Sequence, residues 1–323
     1  MKSLAELSDL IHQSVNKLKF PENPKGLYDP IRYMISLGGK RMRPVLTLMA
    51  CDAFNGDVQL AISPALGLEV FHNFTLLHDD IMDHAPLRRT KPTVHAKWNS
   101  NIAILAGDAM FVRSCQLVMD SPSSVVKEVM EVFTKTALEV CEGQQYDMDF
   151  ESMNEVSIED YIEMIRLKTA VLLGASLKIG ALIGKADITA ANHLYNFGVN
   201  LGIAFQLQDD ILDVYGDASL FGKQVGGDIL ANKKTYLLIT ALNKANGELK
   251  EELSGWINST DKTQLKVNSI TAIYDQISVR QIAENKMHEL YNDALQHLNA
   301  IPIDVDRKQP LIDLADSLMN RKN

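Results

Sequence analysis

The sequence is poor in the residues that build disulfide frameworks and zinc sites. Only three of its 323 residues are cysteine, at positions 51, 115 and 141, and no two of them have CxxC spacing. Cysteines so scattered predict neither a disulfide framework nor a zinc site. They indicate reduced thiols, and therefore a cytoplasmic protein.

Long hydrophobic runs are also lacking. The most apolar stretch, residues 170–184, contains Lys178 and is shorter than the about 20 residues that span a membrane. The N-terminal residues carry charges and lack the apolar run of a signal peptide. We therefore expect a soluble protein without stable membrane insertion.

Neither a cationic surface nor a nucleotide fingerprint is present. The net charge is -9 and the sequence pI is about 5.4, which argues against a nucleic acid as partner. The GxxxxGK[ST] and GxGxxG spacings are absent, so ATP and dinucleotides are not indicated. Because no segment has the composition of a linker, we expect residues 1–323 to form one domain.

Helical periodicity dominates the chain. Between residues 65 and 82 apolar residues recur three or four positions apart, and Ser63–Pro64 is typical of a helix start. Ser157 and Asp160 resemble a capping box ahead of a helix over 161–182. A further helix is predicted over 192–214. The fold class is therefore all-α, with ten or more helices around a core.

Two aspartate clusters stand out, DDIMD at residues 79–83 and DDILD at residues 209–213. In each, the first and last aspartates lie four positions apart and share a helical face. Each cluster also lies near the predicted C-terminal end of its helix, where negative charge is unfavourable. One such cluster alone is typical of a solvated acidic helix end. Two of them, each after an apolar stretch, favour bound Mg²⁺, which prefers carboxylate and phosphate oxygens.

Basic residues accompany both clusters. Residues 38–44 read GGKRMRP, where Lys40 and Arg43 are three positions apart and are predicted to share a helical face. The two glycines allow a ligand to approach the backbone. Arg88, Arg89 and Lys91 follow the first cluster. Lys168, Lys223 and Lys233 lie in polar breaks between apolar helices, where a single lysine is ordinarily a surface residue.

In this order the motifs resemble those of the trans-isoprenyl diphosphate synthases, the family of farnesyl and geranylgeranyl diphosphate synthases. The resemblance covers residues 30 to 240. One departure is Thr90, which stands where the family usually has a glycine after two arginines, and which puts the local loop geometry in question. The matching residues are GGKRMRP at 38–44, His72, the first aspartate cluster through Arg88–Arg89, Gly143–Gln144 with Asp147, Lys168–Thr169, Phe205–Gln206, the second cluster, Gly222–Lys223, Gly227–Asp228 and Lys233.

The resemblance implies a helical bundle around a central substrate cavity, three Mg²⁺ ions and two diphosphate subsites. His72 alone would be a core histidine, and only its match to the family assigns it to a subsite. The implied metal ligands are Asp79, Asp83 and Asp209, supported by Asp80, Asp210 and Asp213. The implied allylic diphosphate contacts are Arg88, Lys168, Thr169, Gln206, Lys223 and Lys233. The implied isopentenyl diphosphate contacts are Lys40, Arg43, His72 and Arg89.

Residues preceding the first cluster bear on product length. Phe74 lies roughly 7.5 Å along the helix axis before Asp79, and Phe71 roughly 12 Å before it. An aromatic residue at the fifth position, beside the small Thr75, resembles synthases that make the twenty-carbon geranylgeranyl diphosphate. Farnesyl diphosphate is the alternative product, and both phenylalanines could instead be ordinary core residues.

Two rival functions remain open at the level of sequence. A class I terpene cyclase also has an aspartate-rich helix, but its second metal motif usually differs and it needs no second diphosphate subsite. A non-catalytic subunit of a heteromeric synthase would not need intact aspartates and cations. The resemblance also implies a homodimer.

Overall fold

The computed structural model describes residues 2–216, 225–261 and 263–319. Helices dominate the described chain, which confirms the predicted all-α class. One antiparallel pair of two-residue strands, β1 (Leu87–Arg88) and β2 (Lys91–Pro92), accompanies them. The helices are α1 (Leu4–Asn16), α2 (Lys25–Ser36), α3 (Met42–Ala53), α4 (Val58–Met82), α5 (Val94–Lys97), α6 (Ser100–Met119), α7 (Val126–Ser152), α8 (Ile158–Ile165), α9 (Val171–Ile183), α10 (Ile188–Tyr215), α11 (Gly227–Leu230), α12 (Tyr236–Lys244), α13 (Gly247–Asn258), α14 (Gln264–Gln276), α15 (Val279–Asn299) and α16 (Val305–Met319).

The chain forms two compact units. Unit 1 comprises Met1–Lys135, Ala175–Tyr195 and Pro302–Pro310, and unit 2 comprises Thr136–Gly174, Asn196–Ile301 and Leu311–Asn323. The single domain expected from the sequence stays a prediction.

Helix α4 forms the centre of unit 1, where it packs against α3 and α6. Leu68 and Phe71 on α4 are fully buried, and each such side chain stabilises the fold by about 1.5–3 kcal/mol. Gly67 allows α6 to come close, since a Cβ there would lie 2.7 Å from a methyl group of Val118. The end of α4 that carries the first aspartates is therefore held by a closely packed core.

The predicted start of α4 at Ser63–Pro64 is wrong. The helix begins at Val58, because the Asp57 carboxylate caps it by accepting a hydrogen bond from the Gln59 amide at 3.0 Å. Pro64 lies inside the helix and is buried, so packing outweighs the hydrogen bond that a proline removes. The Ser63 hydroxyl donates to the Asp120 carboxylate at 2.8 Å instead of capping.

The prediction for residues 161–182 was correct in part. Ser157 does form a capping box, since its hydroxyl accepts from the Asp160 amide at 3.0 Å and the Asp160 carboxylate accepts from the Ser157 amide. The helix then changes to a π-helical turn, Arg166–Ala170, before continuing as α9. Helix α10 agrees with the predicted span 192–214 and extends it at both ends.

Two described helices, α4 and α6, have the length and apolar composition of a membrane span. Most of the apolar window of α4 is buried within the protein, as in the core helix of a folded domain, whereas α6 keeps more of its window exposed. This observation alone is weak evidence for a membrane segment.

Candidate active site

The first aspartate cluster forms the C-terminal end of α4. Asp79 is half-buried, Asp80 is buried and Asp83 is exposed at the cap position. The Asp83 amide donates to the Asp79 carbonyl at 2.8 Å, which keeps the helical turn between them. Asp79 and Asp83 therefore share a face, as their spacing predicted.

Asp80 has a different environment from its two neighbours. The Nε of Arg88 lies 2.9 Å from both of its carboxylate oxygens, and the Nη2 lies 2.8 Å from Oδ1. This buried carboxylate is therefore neutralised by a guanidinium, which still has N–H groups left for another anion. The supporting role towards Mg²⁺ implied for Asp80 stays a prediction, and what the structure shows is that Asp80 holds Arg88.

Arg89 and Thr90 form the turn between β1 and β2. Both have left-handed backbone conformations, with φ of 52° and 65°, as a two-residue type I′ hairpin turn requires. Thr90 therefore adopts, despite its Cβ, a conformation that glycine adopts without cost. The departure from the family pattern therefore places a strained threonine in the turn.

The loop before α3 lies against this turn. Gly39 has a φ of 135°, and a Cβ on it would lie 2.6 Å from Nη2 of Arg89. The Arg89 guanidinium thus lies directly over the glycine backbone, next to Lys40 in the chain. The predicted helical face shared by Lys40 and Arg43 is wrong, because α3 begins only at Met42 and Arg41 adopts a left-handed conformation ahead of it.

His72 contacts Arg43. The Nη1 of Arg43 lies 3.1 Å from Nε2 of His72, and because a guanidinium only donates, Nε2 is the acceptor and the ring proton is on Nδ1. Burial, followed by the charges of Arg43, Arg89 and Arg88, lowers the pKa of His72 well below its usual value. His72 is therefore a neutral ring that orients Arg43 and keeps one N–H donor.

Arg43 retains a donor without a protein partner. Its Nε is buried and makes no hydrogen bond within the described part of the chain. Burial lowers the pKa of Arg43 to about 10, against the opposing charge of Glu69. Arg43 as a residue is only half-buried, so its guanidinium is suited to bind an anion.

Glu69 is a member of this group that the sequence analysis missed. It is buried, and its carboxylate accepts from the Asn73 side-chain amide at 3.1 Å. Burial raises the pKa of Glu69, while Arg43, the Asn73 hydrogen bond and Arg89 oppose that rise. Its position three residues before His72, on the same helical face, was the available signal.

The two phenylalanines that precede the first aspartates on α4 belong to an aromatic cluster. Phe74 lies 5.6 Å from Phe71 and 5.5 Å from Phe111, measured between ring centroids, and Phe71 lies 5.4 Å from Phe133. Phe111 on α6 and Phe133 on α7 come from distant parts of the sequence, so helical spacing alone did not find them. Thr75 donates its hydroxyl to the carbonyl of His72 at 2.8 Å.

The second aspartate cluster lies in unit 2, and its middle aspartate, Asp210, is buried. The Tyr161 hydroxyl donates to this carboxylate at 2.5 Å and the Gln206 side-chain amide at 3.4 Å. Burial raises the pKa of Asp210 to about 7, with the Tyr161 hydrogen bond as the main opposing cause. Asp213 accepts from the Asp228 amide at 3.0 Å and so anchors the following turn. Asp209, half-buried, remains the cluster's candidate ligand.

Lys168 and Thr169 lie in the π-helical turn. Lys168 donates to the Asp147 carboxylate at 2.5 Å. Gly143 permits the turn to approach α7, since a Cβ there would lie 2.2 Å from the Lys168 amide nitrogen. A π-helical turn inside a helix frequently marks a functional site, and here it places two residues that the sequence predicted.

Lys233 and Lys223 are the remaining lysines among the predicted site residues. Lys233 is exposed and follows α11, where its amide donates to the Asp228 carbonyl at 2.9 Å. Lys223 lies outside the described residues.

The predicted site residues that the structure describes fall into two groups, one in each unit. Unit 1 contains Lys40, Arg43, Phe71, His72, Phe74, Thr75, Asp79, Asp83, Arg88 and Arg89, and unit 2 contains Lys168, Thr169, Gln206, Asp209 and Lys233.

The aspartate pairs fit the expected magnesium chemistry. Within the described ranges no three histidine, cysteine or acidic side chains form a complete metal cage. Mg²⁺ does not need one, because it usually combines one or two carboxylates with water and substrate phosphates. Asp79 and Asp83 offer such an oxygen-only pair on one helix face.

Comparisons with known proteins identify the family of the chain. Residues 24–276 match the family model of polyprenyl synthetases. The chain belongs to this family. It is 35% identical over 319 residues to a geranylgeranyl diphosphate synthase of Methanosarcina mazei, covering 98% of this chain and 96% of that protein. The family confirms the prenyltransferase prediction and removes the terpene cyclase alternative.

Solved structures show the same relationship. A crystal structure of a geranylgeranyl pyrophosphate synthase matches with a TM-score of 0.95 and 40% identity over 100% of both chains. A polyprenyl synthase of Caulobacter crescentus, complexed with calcium and isoprenyl diphosphate, matches with a TM-score of 0.87 and 27% identity over 99% of this chain and 97% of that one.

Proposed function

We propose that this prenyltransferase condenses isopentenyl diphosphate with an allylic diphosphate to give geranylgeranyl diphosphate. The observation that carries the proposal is the cation group of unit 1. His72 lies two helical turns, roughly 10.5 Å along the axis, before Asp79 on α4. The group has more cations than carboxylates, since Arg43 and Arg89 face the single buried Glu69. An anion subsite of this kind, next to a candidate metal subsite, is suited to two diphosphates in one reaction.

The isopentenyl diphosphate subsite is formed by Lys40, Arg43, His72 and Arg89. The Arg43 guanidinium beside His72 and the Arg89 guanidinium over Gly39 supply planar donors that match phosphate oxygens. Because His72 holds the Arg43 guanidinium, little entropy of that side chain is lost when the substrate binds.

The proposed contacts of the allylic diphosphate follow the motifs of the family. Asp79, Asp83 and Asp209 would hold Mg²⁺, which when bound stabilises the negative charge of the departing diphosphate. Arg88, Lys168, Lys223 and Lys233 contribute positive charge to the same leaving group. Asp80 and Asp147 orient Arg88 and Lys168 through the hydrogen bonds described above.

The proposed reaction is an ionisation followed by a condensation and a proton loss. The carbon–oxygen bond of the allylic substrate breaks and leaves an allylic cation and pyrophosphate. The double bond of isopentenyl diphosphate attacks this cation, which forms a carbon–carbon bond and a new tertiary cation. That cation then loses a proton to pyrophosphate, and a double bond is restored. Thr169 and Gln206 offer dipoles that stabilise the cation and cannot capture it as a strong nucleophile would. Excluding other nucleophiles from the cation is part of the function of such a site.

Product length is set by the aromatic cluster. Phe74, supported by Phe71 and Phe111, is the floor against which the growing chain ends. The geranylgeranyl diphosphate synthases among the relatives support a twenty-carbon product. Farnesyl diphosphate is the second candidate.

We also propose a cytoplasmic homodimer. Leu105, Val112 and Met119 on α6 recur every seven residues and are each more than half exposed. A second copy covering this stripe would bury apolar surface that a monomer leaves in water. Analytical ultracentrifugation tests this, since Val112→Glu should yield monomers if α6 is the interface. A wild-type monomer would contradict it.

The direct test uses the purified protein alone. It is incubated with labelled isopentenyl diphosphate, Mg²⁺ and, in turn, dimethylallyl, geranyl or farnesyl diphosphate, and the products are separated by chromatography. We expect a twenty-carbon product, loss of turnover with a chelator and recovery with Mg²⁺. A fifteen-carbon end product would support the alternative. No turnover with any starter would indicate a non-catalytic subunit.

A further inference from the structure

The proposed isopentenyl diphosphate subsite is assembled from separate segments of unit 1. Lys40 belongs to the loop between α2 and α3, whereas Arg89 belongs to the β1–β2 hairpin. The two segments are some fifty residues apart in the sequence. A single diphosphate can contact both cations only if the loop and the hairpin keep a fixed separation.

Several contacts attach the hairpin to the end of α4. The Arg88 guanidinium binds Asp80, as described above. At the base of the hairpin, the Thr93 hydroxyl donates to the Ala85 carbonyl at 2.8 Å, and the Thr93 amide donates to the Pro86 carbonyl at 3.1 Å. These contacts orient the hairpin relative to the aspartates, and none of them reaches α2.

The hydroxyl of Tyr33 does reach the hairpin from α2. It donates to the carbonyl of Pro92 at 2.7 Å, and Pro92 pairs with Leu87 across the hairpin. Tyr33 lies one helical turn before the end of α2, and the Gly38–Gly39 loop follows directly. This hydrogen bond therefore connects the segment that leads to Lys40 with the strand opposite Arg88 and next to the Arg89 turn.

The ring of Tyr33 is itself held in place. The Nζ of Lys97 lies 3.8 Å from its ring centroid, and Trp98 meets it edge-on at 5.3 Å between centroids. A cation over a ring face and an edge-to-face aromatic contact each favour one ring orientation. The hydroxyl consequently points at Pro92 without a large loss of side-chain entropy on forming the bond.

We propose that Tyr33 is a positioning residue for the isopentenyl diphosphate subsite. It holds the hairpin against α2, so that Arg89 stays over Gly39 and beside Lys40. The inference rests on the proposed function, since it assumes that this cation group binds isopentenyl diphosphate. Tyr33 is not assigned a contact with either substrate.

The test is Tyr33→Phe, which keeps the ring and removes only the hydroxyl. Losing one net hydrogen bond predicts a roughly two- to tenfold rise in KM for isopentenyl diphosphate. The KM for the allylic substrate should stay within twofold, because Arg88 keeps its own anchor on Asp80. Hydrogen exchange should become faster at the amides of residues 87–91 and of Thr93. The matched control is Tyr291→Phe, which removes a tyrosine hydrogen bond to Asp316 within unit 2 and should change neither KM.

Lys40→Ala in the same series distinguishes a failure of the role proposed for Tyr33 from a failure of the subsite assignment. If Lys40→Ala raises the KM for isopentenyl diphosphate and Tyr33→Phe does not, the role of Tyr33 is refuted and the subsite stands. Equal rises in both KM values for Tyr33→Phe would also refute the positioning role. If Lys40→Ala leaves the KM unchanged, the assignment of the subsite itself is wrong. A selective rise in both variants, with faster exchange in Tyr33→Phe, supports the proposal.

Discussion

Thr90 offers a quantitative test of the strained hairpin turn. At a φ of 65° its Cβ crowds the backbone, which costs about 1–2 kcal/mol for an L-residue. Thr90→Gly removes this strain but makes the unfolded chain more flexible, at a cost of about 0.4–1 kcal/mol. The exposed hydrogen bond from the Thr90 hydroxyl to the Arg89 carbonyl is lost too, which costs about 0.5 kcal/mol at most in water. We expect a net stabilisation of about 0.5 kcal/mol.

Thr134→Gly is the matched control for this prediction. Thr134 is exposed in the interior of α7, where replacing threonine by glycine should destabilise the protein by about 0.3–0.5 kcal/mol. The same replacement of threonine by glycine should therefore raise the free energy of unfolding at position 90 and lower it at position 134. The two variants should differ in that free energy by about 1 kcal/mol. At this chain length that corresponds to a separation of about 2 °C in thermal midpoint.

The assay is scanning calorimetry of both variants beside the wild type. The midpoint of Thr90→Gly should lie above the wild type and that of Thr134→Gly below it. The KM of Thr90→Gly for isopentenyl diphosphate should stay within twofold, because glycine permits the same turn and Arg89 remains over Gly39. A midpoint for Thr90→Gly as low as that of Thr134→Gly would refute the strain assigned to this turn.

Three other predictions concern the site. Asp79→Ala and Asp209→Ala should each lower kcat by roughly a hundred- to thousandfold, the cost of losing a charge-stabilising group, as measured by product formation at saturating Mg²⁺; near-wild-type turnover in either would refute the metal role. Phe74→Ala should lengthen the products seen by chromatography, because the floor of the pocket recedes, and an unchanged distribution would reject Phe74 as that floor. His72→Gln should lessen the loss of stability on acidification. Below about pH 6.5 the unfolded chain binds a proton that the folded, neutral His72 excludes, which costs the wild type up to roughly 1.4 kcal/mol per pH unit. Urea unfolding at pH 7.5 and pH 5.5 measures this, and parallel losses in both proteins would contradict it.

Several features of the site could be predicted because they depend only on residues that are close together in the sequence. Asp79 and Asp83 share a face wherever an α-helix forms, and the apolar spacing before them is enough to predict that helix. The Ser157 capping box is equally local, since its two hydrogen bonds join residues three apart. The ordered motifs then identified the family.

Other features depend on contacts between segments far apart in the sequence. Pro64 disfavours the helix interior, yet burial against neighbouring helices retains it within α4. The turn at Lys168 is π-helical where Gly143 of α7 lets its backbone approach. Local propensity carries no information about either neighbour, so the sequence analysis missed both.

The sequence by itself determined the all-α class, the face that Asp79 and Asp83 share and the family, because each depends on spacing along a single helix or on ordered motifs. Only the tertiary structure decided which partners those residues have. It paired Asp80 with Arg88, placed Arg89 over Gly39 and brought Phe111 against Phe74. Such pairings join residues eight to fifty positions apart, and their free energy comes from burial and close packing that no local pattern encodes.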